Sequence, residues 1–143
     1  MKRKFGTRSM NELSRVHPEL IYLMYLSLQE TPYDFAIIDG ARTFAEQRTY
    51  FDNGASSTLK SRHLLQKPIG LEIEYSHAVD IACYLNGKIR WEWNLYEDNA
   101  KVIKKIAKEY GIDIEWGGDW ITLRDGPHFQ LSWSSYPVQS AGV

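Results

Sequence analysis

The stretch HAVDIACYLNGKIRWEW, residues 77–93, decides the fold. From His77 to Leu85 the residues suit a pleated strand. Asn86-Gly87 then supplies the two positions tolerant of positive φ that a tight hairpin turn needs, and Lys88 to Trp93 returns. An antiparallel β-hairpin is predicted. Side chains alternate across a strand, so Asp80 shares a face with Ala78, Ala82 and Tyr84, while His77, Val79, Ile81 and Cys83 face the other way. The second face reads as core. On the first, a carboxylate stands between two small residues that leave room beside it.

Working outward, Asn94 with Glu97 three residues on predicts a helix start. Val102, Ile103, Ile106, Ala107 and Tyr110 form an apolar stripe, and Gly111 ends the helix. Ile112 to Trp116 and His128 to Trp133 alternate as strands. Upstream, Phe35 to Ile38 is a buried strand closed by Asp39-Gly40. Thr43 and Glu46 have capping-box spacing for a helix over 44–53, stopped by Asn53-Gly54. A further helix runs from Pro18 to about Gln29, with Thr31-Pro32 as its stop, and Ser9 with Glu12 repeats the capping-box spacing. Residues 55–76 read as a long loop, which inside a compact domain usually serves function. Residues 1–8 and 134–143 read as flexible ends. The class is α+β, a small antiparallel sheet flanked by helices, in one domain over 1–143.

Composition narrows the function. The 143 residues carry 17 Lys+Arg and 18 Asp+Glu, a net charge of -1, so no global basic field draws the chain to nucleic acid or a membrane surface. The longest apolar-rich run, Leu20 to Leu28, is too short to span a bilayer. Met1-Lys2-Arg3-Lys4 resembles the start of a signal peptide, but Gly6, Thr7, Arg8, Ser9 and Asn11 follow in place of an apolar segment, so a cytoplasmic monomer is expected. Five basic residues (Lys2, Arg3, Lys4, Arg8, Arg15) against Glu12 make the first fifteen residues locally positive. The lone Cys83 excludes an internal disulfide and a cysteine zinc ribbon.

Three groups hold donors suited to a divalent cation: Ser61-Arg62-His63, His77-Ala78-Val79-Asp80 and Asp125-Gly126-Pro127-His128. Two imidazoles and a carboxylate make a three-ligand zinc site with a fourth position open, the catalytic arrangement. Strand parity keeps His77 and Asp80 from sharing one ion. His128 lies with Gln130 and Ser132 on a polar face opposite Phe129, Leu131 and Trp133, and so looks into a cleft. Asp125, on the preceding turn, is placed where a general base must sit. No acidic loop has the spacing of a calcium site.

The chain resembles the zinc peptidases of the D-alanyl-D-alanine carboxypeptidase superfamily, whose fold is also the hedgehog-like one. It is most similar to phage endolysins that are L-alanyl-D-glutamate peptidases. The resemblance rests on Gly40-Ala41-Arg42-Thr43 with Glu46-Gln47, Ser61-Arg62-His63, His77-Ala78-Val79-Asp80-Ile81, Trp116-Gly117-Gly118-Asp119-Trp120 and Asp125-Gly126-Pro127-His128-Phe129, in the family's order. It implies zinc held by His63, Asp80 and His128, Asp125 as the catalytic acid/base, and Arg42 meeting the substrate's carboxylate or carbonyl. It also implies Trp116 and Trp120 lining the groove. The implied substrate is the peptidoglycan stem peptide, cut between L-alanine and D-glutamate after release of the enzyme from the host cytoplasm. The chain departs from the family in the segment 65–76, inserted between the first histidine and the aspartate. There Leu71, Ile73 and Tyr75 alternate with Glu72 and Glu74, predicting a ribbon or flap over the cleft.

Overall fold

The computed structural model describes residues 2–56 and 60–139. The described elements are α1 (Thr7–Leu13), α2 (Pro18–Glu30), β1 (Phe35–Asp39), α3 (Phe44–Asp52), β2 (Ala78–Leu85), β3 (Lys88–Arg90), α4 (Trp93–Glu109), β4 (Ile114–Trp116), a 3-10 turn at Gly117–Asp119 and β5 (His128–Leu131). All strand pairings are antiparallel, in the order β1-β2-β5-β4, with β3 added to the end of β2. The fold is thus α+β, and the hairpin of residues 77–93 supplies its central strand. Asn86 and Gly87 adopt φ 53 and 77, the left-handed pair that lets a two-residue turn follow the strand twist.

Parity along β2 sorts the molecule into core and cleft. Val79, Ile81 and Cys83 join Leu20, Leu23, Met24, Ile103, Phe129 and Leu131 in one buried cluster, against which α2 and α4 pack. Each such aliphatic or aromatic side chain contributes roughly 2 kcal/mol by leaving water. α3 begins as its sequence dictates: the Thr43 hydroxyl accepts from the Glu46 N–H at 3.1 Å while the Glu46 carboxylate accepts from the Thr43 N–H at 3.1 Å.

Several expectations are corrected. α1 starts from Gly6, so Ser9 is no cap; it lies buried within the helix, where its hydroxyl accepts from the Ile37 N–H at 3.0 Å and ties α1 to β1. α4 starts two residues earlier than expected, with Glu92 rather than Asn94 at the cap and no side-chain capping bond; a well-buried apolar face makes the helix without one. β3 ends at Arg90, and Tyr110 is exposed past the stripe.

The chain ends are tied down where they are described. Arg3 donates to the carbonyls of Leu28 (3.0 Å) and Thr31 (2.8 Å), and Phe5 is buried against Tyr25 and Phe35. At the other end the Tyr136 hydroxyl donates to Glu19 at 2.9 Å, and Gln139 donates to the carbonyls of Pro68 and Leu71. The expectation for Met1 and for 140–143 lies outside the described residues.

Segment 65–76 is not a flap over the cleft. Gln66 pairs with Tyr75, Pro68 with Val138 and Ser76 with Val16, so the segment is clamped between the N-terminal region and the C-terminal tail. Its apolar residues Ile69, Leu71 and Ile73 stay exposed. Alternation therefore does not separate a covered face from a wet one here, since Leu71, Glu72, Ile73 and Glu74 are all exposed. Ser76 is fully buried, with its hydroxyl against the Gly40 and Ala78 carbonyls and its own carbonyl accepting from the His17 N–H at 2.8 Å. Replacing 65–76 with a short link should therefore lower stability by about 2 kcal/mol or more through lost buried hydrogen bonds. Excising only the exposed tip, 69–73, should shift thermal unfolding by no more than a few degrees. Differential scanning calorimetry of the two deletions checks this.

Candidate metal centre and cleft

Asp80 and His128 are direct cross-strand partners in the β2–β5 ladder, and opposed residues of an antiparallel pair share a face. His63 arrives from the loop that follows α3, where its carbonyl accepts from the Arg42 N–H at 2.8 Å. The result is a buried cluster in which ligand atoms of His63, Asp80 and His128 all lie within 4.8 Å of one another, the one such group of three among the described residues. His63 Nε2 lies 3.3 Å and His128 Nδ1 3.1 Å from the Asp80 Oδ1. Burial alone would raise the Asp80 pKa, but the hydrogen bond with His128 and the charges of His128 and His63 override it and hold the carboxyl well below its usual range.

The outer nitrogens of both imidazoles are engaged in the manner a metal site needs. His63 Nδ1 donates to the Gly40 carbonyl at 2.8 Å, which turns Nε2 inward, buried and with no hydrogen-bond partner. His128 Nε2 meets the Gln130 Oε1 at 2.8 Å, and the Gln130 amide in turn donates to Glu115 at 3.3 Å, which leaves Nδ1 facing Asp80. Outer partners of this kind fix the tautomer and ring orientation of metal-bound histidines. Two imidazoles and one carboxylate, with an orphaned buried nitrogen pointing inward, fit a divalent metal such as zinc.

The cluster opens into a cleft of about 950 Å³ that Arg42, Trp120 and Asp125 also line. The Asp125 pKa is raised, first by burial and then by the negative Asp80, against the pull of His128, His63 and Arg42. Gly117 makes this approach possible: a Cβ there would run into the Asp125 carbonyl and press on the His128 Cβ. Arg42 is held by Asp39, by Gln47 (Nη1 to Oε1, 2.7 Å) and by the Tyr50 ring, 4.6 Å from the guanidinium carbon. Trp120 packs at a tilt against His128, with ring centroids 5.1 Å apart.

Trp116 is corrected. It pairs with Phe129 across the β4–β5 ladder, packs against Phe129 and Trp93, and its Nε1 donates to the Gly126 carbonyl at 2.7 Å. It is core, and it supports the turn before His128 from below. The alternation Ile112, Ile114, Trp116 already put it on the apolar face. Glu115, Gln130 and Arg62 were missed in these roles. Glu115 was legible as the cleft-side neighbour of Trp116. Arg62 was not, since only the fold shows its guanidinium buried against the carbonyls of Leu131, Ser132 and Tyr136 and the Trp133 ring.

His77 lies on the opposite face from the cluster, as parity required. Its ring is buried beside His17, and Nδ1 donates to the Tyr75 carbonyl at 3.1 Å. Burial first, then the charges of Arg62 and His17, push its pKa down to about 4. A depressed histidine is neutral in the fold. Its contribution is complete above the unfolded value near 6.5 and is lost as pH falls toward 4, a loss of about 2 kcal/mol. His77→Phe should flatten that part of the stability–pH curve, measured by urea unfolding at pH 7 and pH 4.5.

Comparison with known proteins gives the family. Residues 1–131 match the family model described as phage L-alanyl-D-glutamate peptidase. The L-alanyl-D-glutamate peptidase of Escherichia phage T5 is 35% identical over 124 residues, covering 84% of this chain and 83% of that protein. The peptidoglycan L-alanyl-D-glutamate endopeptidase CwlK of Bacillus subtilis is 31% identical over 107 residues, 68% of this chain and 60% of its own length. Among solved structures, the Serratia marcescens L-Ala D-Glu endopeptidase ChiX superposes with a TM-score of 0.82 at 39% identity, covering 96% of each chain. In sequence and in fold, the chain belongs to the phage L-alanyl-D-glutamate peptidase family.

Proposed function

We propose that this protein is a zinc-dependent endopeptidase that hydrolyses the L-Ala–D-Glu bond of the peptidoglycan stem peptide and so lyses the wall of a host cell. The observation that carries the reading is the cluster itself: His63 Nε2 and His128 Nδ1, each turned inward by an outer hydrogen bond, converge on Asp80 in a cleft that also holds Asp125. His63, Asp80 and His128 would hold the metal, which supplies Lewis-acid polarisation of a carbonyl and activation of water.

The chain's own residues do the rest. Burial and the neighbouring Asp80 raise the affinity of Asp125 for a proton, and its carboxylate takes the proton of the attacking water and returns it to the leaving amine. Arg42 presents a guanidinium already oriented by Asp39 and Gln47 to the substrate's carboxylate or carbonyl oxygen, and a preorganised cation does not have to reorient as charge develops. Trp120 closes the cleft wall over His128. Among the described residues no helix is long and apolar enough to cross a membrane, in keeping with an enzyme that reaches the wall by release.

Digestion of purified peptidoglycan followed by mass spectrometry of the fragments tests the assignment. New D-Glu amino termini and L-Ala carboxyl termini are expected, lost with a chelator and restored by zinc. Free D-alanine as the sole product would make the enzyme a D,D-carboxypeptidase. Binding of stem peptide with no cleavage would make it a non-catalytic wall-binding module.

A further inference from the structure

The loop that carries the chain from Trp120 to Asp125 turns apolar side chains to the cleft. Trp120, Ile121, Thr122, Leu123 and Asp125 all line it, and Trp120 packs against His128. Ile121 is 98% exposed and Leu123 71%. The loop is pinned at both ends to one residue: the Trp120 and Asp125 N–H groups donate to the Gly117 carbonyl at 3.3 and 3.0 Å. The one charged side chain between those ends, Arg124, is engaged elsewhere. Its Nε donates to the Gly118 carbonyl at 3.0 Å, and its guanidinium carbon lies 4.4 Å from the centre of the Trp93 ring. Leu123 is held at φ 53, a left-handed backbone that leucine rarely adopts. Packing within the chain accounts for neither the exposure of the two aliphatic side chains nor that conformation.

The sheet order β1-β2-β5-β4 sets Asp80 and His128 on the two central strands. Arg42 follows β1 and the loop follows β4, so the cation and the apolar pair reach the cleft from opposite edges of the sheet. The bond proposed to be cut is two-sided in the same sense. On its amine side D-glutamate carries a free carboxylate, whereas on its acyl side L-alanine offers a methyl group and no charge. A guanidinium suits the first. Two aliphatic side chains that stand in water suit the second, because contact with the methyl group removes apolar surface of both partners from water. We infer that Ile121 and Leu123 form the apolar wall of the subsite for L-alanine, which makes the loop a specificity determinant for the acyl side of the cut bond. This rests on the proposed cleavage site.

Cleavage of soluble muropeptides that differ at one position tests it. The parent contains L-Ala–D-Glu; one analogue has glycine for L-alanine, and the other has D-isoglutamine for D-glutamate, which removes the carboxylate. The zinc-loaded wild type should cleave the parent with kcat/KM about tenfold above the glycine analogue, the scale of one methyl group at an apolar site. Ile121→Ala/Leu123→Gly should bring that ratio to within about twofold of unity and leave the ratio of parent to D-isoglutamine analogue at its wild-type value. Both side chains are exposed and glycine adopts the positive φ freely, so the melting temperature should hold. Ile121→Ala alone, which leaves the loop backbone as it is, should give an intermediate ratio. A wild type indifferent to the loss of the methyl group would overturn the subsite, as would an alanine preference kept by the double variant. A double variant altered only in its D-isoglutamine ratio would put the loop on the amine side and overturn it as well. No cleavage of any muropeptide by the wild type would sink the peptidase reading itself, an outcome distinct from lost selectivity.

Discussion

Alanine in place of His63, Asp80 or His128 should remove bound zinc and peptidase activity together, with zinc affinity falling by well over 100-fold, whereas His77→Ala should keep both. The three residues are the whole protein-supplied donor set of the cluster, so deleting one leaves two, too few to hold zinc tightly at neutral pH. Gln130→Ala grades the effect. It takes away only the acceptor that orients His128, and loss of such an outer partner costs about 10- to 100-fold in metal affinity. His77 is the informative control because it is the histidine nearest in sequence to Asp80 but projects to the far side of the sheet, beside His17. Chelator competition on purified variants gives the affinities. Zinc lost from His77→Ala and kept by His63→Ala would mean that the ligand loop is built differently.

The pairing of Asp80 with His128 was half legible in the sequence. Period-two alternation placed each on the polar side of its own strand, and the sheet had only to put the strands side by side in a register that made them cross-strand partners. No local pattern encodes that register. His63 sits on a loop, and it was identified by resemblance. What holds it is the Gly40 carbonyl, a contact spanning 23 residues that nothing in the local sequence announces. The errors share a cause. Trp116 was assigned by its neighbours in the motif when its parity with Ile112 and Ile114 already placed it in the core. Segment 65–76 shows an alternation at Leu71 to Tyr75 that covers nothing, since Leu71 and Ile73 are exposed; what holds the segment are bridges from Pro68 and Ser76 to the C-terminal tail and the N-terminal region. Capping signals worked where the helix depends on them, at Thr43 of the short and largely exposed α3. They failed at α4, whose long buried stripe fixes the helix without help from Asn94.

Asp125→Asn should leave zinc content and melting temperature close to wild type and lower kcat by about 100-fold or more, the scale that general acid–base catalysis contributes. The substitution keeps size and shape, so the turn from Asp125 to His128, closed by the His128 N–H on the Asp125 carbonyl at 3.2 Å, has no reason to move. What disappears is the ability to accept a proton and give it back. The structure suits Asp125 to that role more than Asp80, the other carboxylate at the cluster. Asp80 faces two imidazoles, and the hydrogen bond with His128 and the charges of both hold it ionised and unable to take up a proton, whereas burial and the neighbouring Asp80 raise the affinity of Asp125 for one. Removing the Asp125 charge also relieves repulsion with Asp80, so the variant should be no less stable, and zinc binding should be retained. The discriminating measurement is the pH dependence of kcat/KM on a soluble muropeptide. The acidic limb, which reports an Asp125 that must be ionised to act as base, should vanish in Asp125→Asn while a low, pH-insensitive rate persists. A variant that turns over normally, or one that keeps the acidic limb unchanged, would take Asp125 out of the mechanism and assign proton transfer to another group in the cleft.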